Sequence, residues 1–130
     1  MGLIYVDTCL IIYAFEDHPS FGSAVRRAFG EVAAGSLVVS PLVKLECLVS
    51  PLRSANVVLQ RRYEEGLALF ESLPMNEQVF LHAAELRARF NLKTPDALHL
   101  ATAQHHGCEA LWTNDERLNV ASRGLARSVL

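Results

Sequence analysis

The stretch Leu3-Ile4-Tyr5-Val6-Asp7-Thr8 decides how this chain is read. Four apolar residues in a row are closed by an aspartate, and Thr8 to Phe15 continues apolar at helical length. An apolar run without polar alternation is what a strand buried on both faces requires, and such strands belong to parallel sheets covered by helices. Outward from it, Leu37-Val38-Val39 and Glu109 to Thr113 repeat the strand signal, Pro74 to Gln78 offers a short strand, and Arg127 to Leu130 an edge strand. Helical spacing fills the intervals. Phe21, Ala24, Val25, Ala28, Phe29 and Val32 make one stripe, which Gly35 should stop; Leu59, Tyr63, Leu67 and Phe70 make a second; Val79, Ala83, Leu86 and Phe90 make a third. Ser40-Pro41 and Thr94-Pro95 each read as an N-cap followed by proline, and Gly107 as the stop of the helix that Thr94 opens. Strands alternating with helices imply an α/β fold: one α/β/α sandwich over residues 1–130 around a mostly parallel sheet of four to five strands.

Composition agrees with a single domain. The chain has 130 residues, 51% of them hydrophobic, enough for one core and too few for two. Its formal charge of -2 carries no overall nucleic-acid signal, yet setting aside Asp7, Glu46, Asp96 and Asp115 turns it to +2, which leaves room for a basic rim around an acidic pocket. Cys9, Cys47 and Cys108 are odd in number and lack C-x-x-C spacing, against both a disulfide framework and a zinc site. The chain starts directly on its first strand, and no apolar run approaches membrane-spanning length, so a cytoplasmic protein without a membrane segment is expected.

The acids carry the chemistry. Of the four aspartates, Asp7 follows the first strand, Asp115 follows the last confident one, and Asp96 lies in the first turn of a helix; Glu46 lies on the helix after the second strand. Parallel sheets place their sites at the carboxyl ends of the strands, so these acids point toward one rim. Converging carboxylates repel and raise one another's pKa, and such a cluster normally persists around a divalent cation. Each acid also has a plainer reading: Asp7 as a helix N-cap, Asp96 as a partner of the helix dipole. Together they point to a metal-dependent enzyme with a divalent cation as cofactor. His99 stands three residues after Asp96 on the same helix face, where it could hydrogen-bond a ligand or serve as a half-buried structural residue. Arg26, Arg27, Arg53, Arg61, Arg62, Lys93 and Arg117 are candidate phosphate contacts, with most weight on Lys93 and Arg117, which neighbour these acids; arginines on helices are commonly just solvated, and Arg61 and Arg62 could equally pair with Glu64 and Glu65.

In Ile4-Tyr5-Val6-Asp7-Thr8, Ser40-Pro41-Leu42-Val43-Lys44-Leu45-Glu46, Thr94-Pro95-Asp96-Ala97-Leu98-His99-Leu100-Ala101-Thr102-Ala103 and Leu111-Trp112-Thr113-Asn114-Asp115, the chain resembles the PIN-domain ribonucleases, and among them the VapC-type toxins of toxin-antitoxin pairs. The resemblance covers nearly the whole length and rests on the order and spacing of these segments. It implies that Asp7, Asp96 and Asp115 are the principal metal carboxylates, that Glu46 ligates directly or through water, and that the Thr113 hydroxyl orients them. It further implies Mg²⁺ or Mn²⁺ as cofactor, cleavage of RNA, with Lys93 and Arg117 then candidate RNA contacts, a homodimer, and a cognate antitoxin that blocks the site. One departure is Cys9, where many relatives carry Asn or Ser; a thiol is a poor partner for a hard cation. The rival readings are a catalytically inactive PIN-like binding module, a PIN nuclease of RNA processing without an antitoxin, and a phosphatase with an aspartyl nucleophile. The last would want an aspartate at position 9. The stripes through Leu59 to Phe70 and Val79 to Phe90 are expected to serve the core first, with any excess serving a second copy or an antitoxin.

Overall fold

The computed structural model describes residues 2–130. In chain order, β1 (Ile4–Val6) leads to α1 (Thr8–Phe15) and α2 (Gly22–Gly30), and β2 (Leu37–Val39) to α3 (Pro41–Arg53) and α4 (Val57–Leu67). Then β3 (Glu71–Ser72) leads to α5 (Glu77–Phe90) and α6 (Thr94–His105), and β4 (Ala110–Trp112) to α7 (Arg117–Ser122) and β5 (Ala126–Arg127). The five strands form one sheet in the order β3-β2-β1-β4-β5, and each neighbouring pair is parallel. Tyr5 at the centre lies opposite Val38 on one side and Leu111 on the other. Every residue of β1 and β4 is buried, as two helix-covered faces require. Leu10, Ile11, Val25, Tyr63, Val79, Leu100 and Leu118 complete the core from the helices. Among the described residues, no helix is long and apolar enough to cross a membrane.

The strand order has one consequence for the site. From β1 the chain moves outward through β2 to β3, then crosses back to β4 and continues the opposite way to β5. The direction of winding therefore reverses between β1 and β4, and the carboxyl ends of those two strands border the crevice where open parallel sheets bind ligands. Asp7 follows the last residue of β1 and Thr113 the last residue of β4, and the backbone N–H of Asp7 donates to the carbonyl of Trp112 at 2.9 Å.

Several expected boundaries move. The short strand lies at Glu71–Ser72, not at 74–78: Leu73 N–H still donates to Val39 at 2.8 Å, but Pro74 has no N–H to extend the ladder, and Asn76 caps α5 through Val79 N–H at 3.1 Å. The edge strand is Ala126–Arg127, ending before Leu130. α2 stops at Gly30, five residues before Gly35, whose φ of +82° instead serves the turn into β2. Gly107, at φ +65°, does follow the end of α6. Lys93 takes the N-cap position of that helix and Thr94 is already helical, while Ser40 does sit at the N-cap of α3 but caps nothing with its side chain. Arg61 and Arg62 do not pair with Glu64 and Glu65; Arg62 donates to the carbonyl of Phe15 at 3.2 Å. The helical stripes are core: Tyr63, Leu67, Val79, Ala83 and Leu86 are buried. The same segments also leave apolar side chains exposed, Leu69 just after α4 and Phe80 and Leu81 on α5, and others lie on Leu45, Leu52, Val57 and Val58.

Leu111, fully buried between β1 and β5, and Val120, exposed on α7, separate core from surface in one region of the chain. Leu111→Ala should cost about 2–5 kcal/mol and Val120→Ala less than about 0.5 kcal/mol, read from urea midpoints at unchanged m. Equal midpoint shifts would contradict this placement of the core.

Candidate metal centre

Asp7 is held from both sides. As the N-cap of α1 its Oδ1 accepts from Thr8 N–H at 2.7 Å, and its Oδ2 accepts from the Thr113 hydroxyl at 2.7 Å. Thr113 Oγ1 in turn accepts from the N–H of Asp115 at 3.0 Å. One buried hydroxyl thus joins the acid after β1 to the loop after β4. The capping and site readings of Asp7 are compatible: one oxygen closes the helix, and the carboxylate stands at the rim.

Glu46, one and a half turns into α3, is turned inward. Its Oε1 accepts from the Thr8 hydroxyl at 2.6 Å and from His99 Nε2 at 2.7 Å. Burial pushes its carboxyl up, but these two hydrogen bonds and the nearby imidazole outweigh that and hold it below the ordinary range. His99 is not half-buried but 1% exposed, and its ring is spanned by partners. Nε2 faces Glu46 and lies 3.5 Å from Asp7 Oδ1, while Nδ1 is 2.6 Å from the Tyr5 hydroxyl, which also lies 2.6 Å from Ser40 Oγ. Burial holds the Tyr5 phenol far above its ordinary pKa, so it keeps its proton. One set of donors satisfies the chain: Ser40 donates to Tyr5, Tyr5 to Nδ1, and Nε2–H to the Glu46 carboxylate. This accounts for the idle cap at α3, because the Ser40 hydroxyl is engaged by Tyr5. Sequence reading missed Tyr5, Ser40 and Thr8; the one available signal was a phenol and a hydroxyl flanking Asp7 in an otherwise aliphatic run.

Asp96 and Asp115 complete the rim. Burial, and then the charges of Asp115 and Asp7, raise the Asp96 carboxyl above its ordinary value. Asp115 moves the other way, lowered first by its hydrogen bond to Arg117. Arg117 grips it with Nε at 3.1 Å from Oδ1 and Nη2 at 2.8 Å from Oδ2, and the same Nη2 lies 3.6 Å from Asp96 Oδ2. Lys93 is exposed at the start of α6, and its charge also acts on Asp115. Asp7, Glu46, Asp96, His99 and Asp115 line one cleft of about 570 Å³, together with Thr8, Cys9, Ile12, Tyr13 and Asn114. Burial, then the charge of Asp7, pushes the Cys9 thiol up to about 12, so it stays protonated. Burial likewise raises the Cys47 and Cys108 thiols, to about 12 and about 11, and both are packing residues.

The donor set suits a hard cation. All four acids offer oxygen, and the Asp96 carboxyl, raised first by burial and then by the charges of Asp115 and Asp7, would be eased by a cation beside it. Among the described residues no three His, Cys, Asp or Glu side chains stand close enough together, as they are placed, to hold a metal ion. Glu46 is turned to Thr8 and His99, and Asp115 to Arg117. Mg²⁺ does not need a closed cage, since it keeps several waters and takes one or two carboxylates plus substrate oxygens.

The family model of the PIN domain matches residues 4–124. The chain belongs to the PIN domain family. No curated protein matches it significantly in sequence. Among solved structures it is similar to a toxin-antitoxin complex from Klebsiella pneumoniae, at 21% identity and a TM-score of 0.81 over 98% of each chain. It is similar to FitAcB from Neisseria gonorrhoeae, at 20% identity and a TM-score of 0.81 over 98% of each chain. Mycobacterium tuberculosis VapC20, a sarcin-ricin loop cleaving toxin, matches at 15% identity and a TM-score of 0.78 over 91% of this chain and 94% of its own. At these identities the likeness is one of fold.

The raised pKa of Asp96 has a sign that can be checked. A carboxyl raised in the folded state favours folding below its ordinary value near 3.9, and that contribution is lost as pH rises through the folded value, leaving the charged form opposed to folding. With a chelator present, Asp96→Asn should therefore melt higher than the wild type at pH 7, and the two melting curves should converge below about pH 4. A gain that is absent at pH 7, or that grows in acid, would contradict a cost of ionising Asp96 in the folded chain.

Proposed function

We propose that this chain is a metal-dependent endoribonuclease and the toxin of a toxin-antitoxin pair, with Asp7, Glu46, Asp96 and Asp115 as the acids that hold Mg²⁺ or Mn²⁺. The observation that carries the reading is the meeting of these four acids, from four separate segments, in one cleft at the point where the sheet reverses its winding. Membership of the PIN family and the likeness to toxin-antitoxin structures support it.

Bound there, Mg²⁺ would offset charge on the phosphate oxygens and lower the pKa of a water. The residues of this chain do the positioning. Thr113 and the N–H of Thr8 fix both oxygens of Asp7, and His99, held by Tyr5, presents Nε2–H to Glu46 and keeps that side chain ionised and oriented. The Cys9 thiol stays protonated and does not attack; water attacks phosphorus, the P–O bond to the leaving sugar oxygen breaks, and that oxygen takes up a proton from solvent. Lys93 and Arg117, exposed at the rim, meet the RNA phosphates. Such an enzyme acts in the cytoplasm, as a homodimer. Its cognate antitoxin inhibits it by placing a cationic side chain among the four acids.

The purified chain should cleave RNA with added Mg²⁺ or Mn²⁺ and stop with excess chelator, and Asp7→Asn and Asp96→Asn should each lower the rate about a hundredfold or more while remaining folded. Glu46→Gln should lower it less. Expression of the wild type should arrest growth, and co-expression of the product of an adjacent gene should restore it. Wild-type rates in either aspartate variant, or cleavage undiminished by chelator, would overturn the nuclease reading; harmless expression with no neighbouring product that binds would overturn the toxin reading alone.

A further inference from the structure

Arg117 opens α7, two residues beyond Asp115, and folds its side chain back across the acids rather than outward. The contact with Asp115 is two-pronged, through Nε and Nη2, which is the geometry of a planar guanidinium matched to a carboxylate. The backbone N–H of Arg117 also donates to Asp115 Oδ1 at 3.0 Å, so the loop is closed by three bonds onto one carboxylate. Beyond Asp115 the same Nη2 lies 3.6 Å from Asp96 Oδ2, and this second ion pair bridges the loop after β4 to the first turn of α6. The side chain remains 61% exposed, so it can leave without disturbing the core.

We propose that Arg117 is an internal competitor for the cation and couples metal binding to substrate. This rests on the reading of the acids as a metal centre. The guanidinium already neutralises Asp115 and leans on Asp96, so a divalent cation that takes oxygens of either residue must displace an existing charge partner. The chain alone therefore binds metal more weakly than its acids would allow. A phosphate of the substrate changes that balance: it offers the guanidinium a new bidentate partner, draws it off the carboxylates, and leaves their oxygens to the metal. Metal and phosphodiester then favour one another by equal factors, as linkage requires. The device keeps affinity for the cation low until substrate is present, and it needs no movement beyond one exposed side chain.

The test is a Mn²⁺ titration of the full chain by calorimetry at low ionic strength, without RNA and then with a non-cleavable phosphorothioate oligonucleotide. Arg117→Ala should bind Mn²⁺ about two- to fivefold tighter than the wild type without RNA, the upper part of the range for an exposed ion pair. The oligonucleotide should tighten Mn²⁺ binding in the wild type and do so less in the variant. Arg123→Ala removes the same charge beyond the far end of α7 and makes no ion pair with the acids, so it separates a general charge effect from the specific contact. Equal Mn²⁺ affinity in the wild type and Arg117→Ala, or an equal gain in Arg123→Ala, would overturn the competition. A wild type and an Arg117→Ala variant that both fail to bind millimolar Mn²⁺ would instead remove the metal centre, and this inference with it.

Discussion

The arrangement of this protein depends on one electrostatic constraint: carboxylates brought together where a parallel sheet reverses its winding. The fold makes that meeting unavoidable. Because β1 and β4 are adjacent and parallel, the residues that follow them emerge side by side, and both segments carry an aspartate there. Helix α6 adds Asp96, whose carboxyl is raised by burial and by the neighbouring charges, and α3 adds Glu46. Burial and the neighbouring charges oppose the ionised form of Asp96, whereas hydrogen bonds from His99 and Thr8 favour that of Glu46 and Arg117 favours that of Asp115.

Those hydrogen bonds connect the site to the core. From Ser40 through Tyr5 and His99 to Glu46 runs a sequence of buried side chains, each the hydrogen-bond partner of the next. Tyr5 is the central residue of the central strand, so the orientation of Glu46 is tied to the middle of the sheet. On the other side, Thr113 ties Asp7 to the loop that carries Asp115. Among the described residues no buried side-chain nitrogen or oxygen is left without a partner. A network satisfied to that degree holds its members to one geometry, which is what positioned acids need.

Much of this was legible in the residues. The unbroken apolar run of β1 announced a strand covered on both faces, and the position of each acid after a strand or in a first helical turn followed from element order alone. What escaped were features decided by tertiary contact. The strand at Glu71–Ser72 has only two residues and no apolar alternation, and it exists because β2 presents an open edge beside it. Ser40 looked like a capping residue, yet its hydroxyl is taken by a phenol 35 residues away. Arg117 looked like a free cation beside an acid, and only the folded chain brings it to Asp96 as well. Each miss involves a partner distant in sequence, which periodicity and capping rules do not see.

The divalent cation proposed for the cleft between Asp7, Asp96 and Asp115 can be looked for directly, in crystals grown with Mn²⁺ and measured above the manganese absorption edge. The account predicts an anomalous difference peak within coordination distance of carboxylate oxygens of Asp7 and Asp96, and its loss in crystals of Asp96→Asn. A cleft without a peak at millimolar Mn²⁺, or a peak unchanged in the variant, would contradict it.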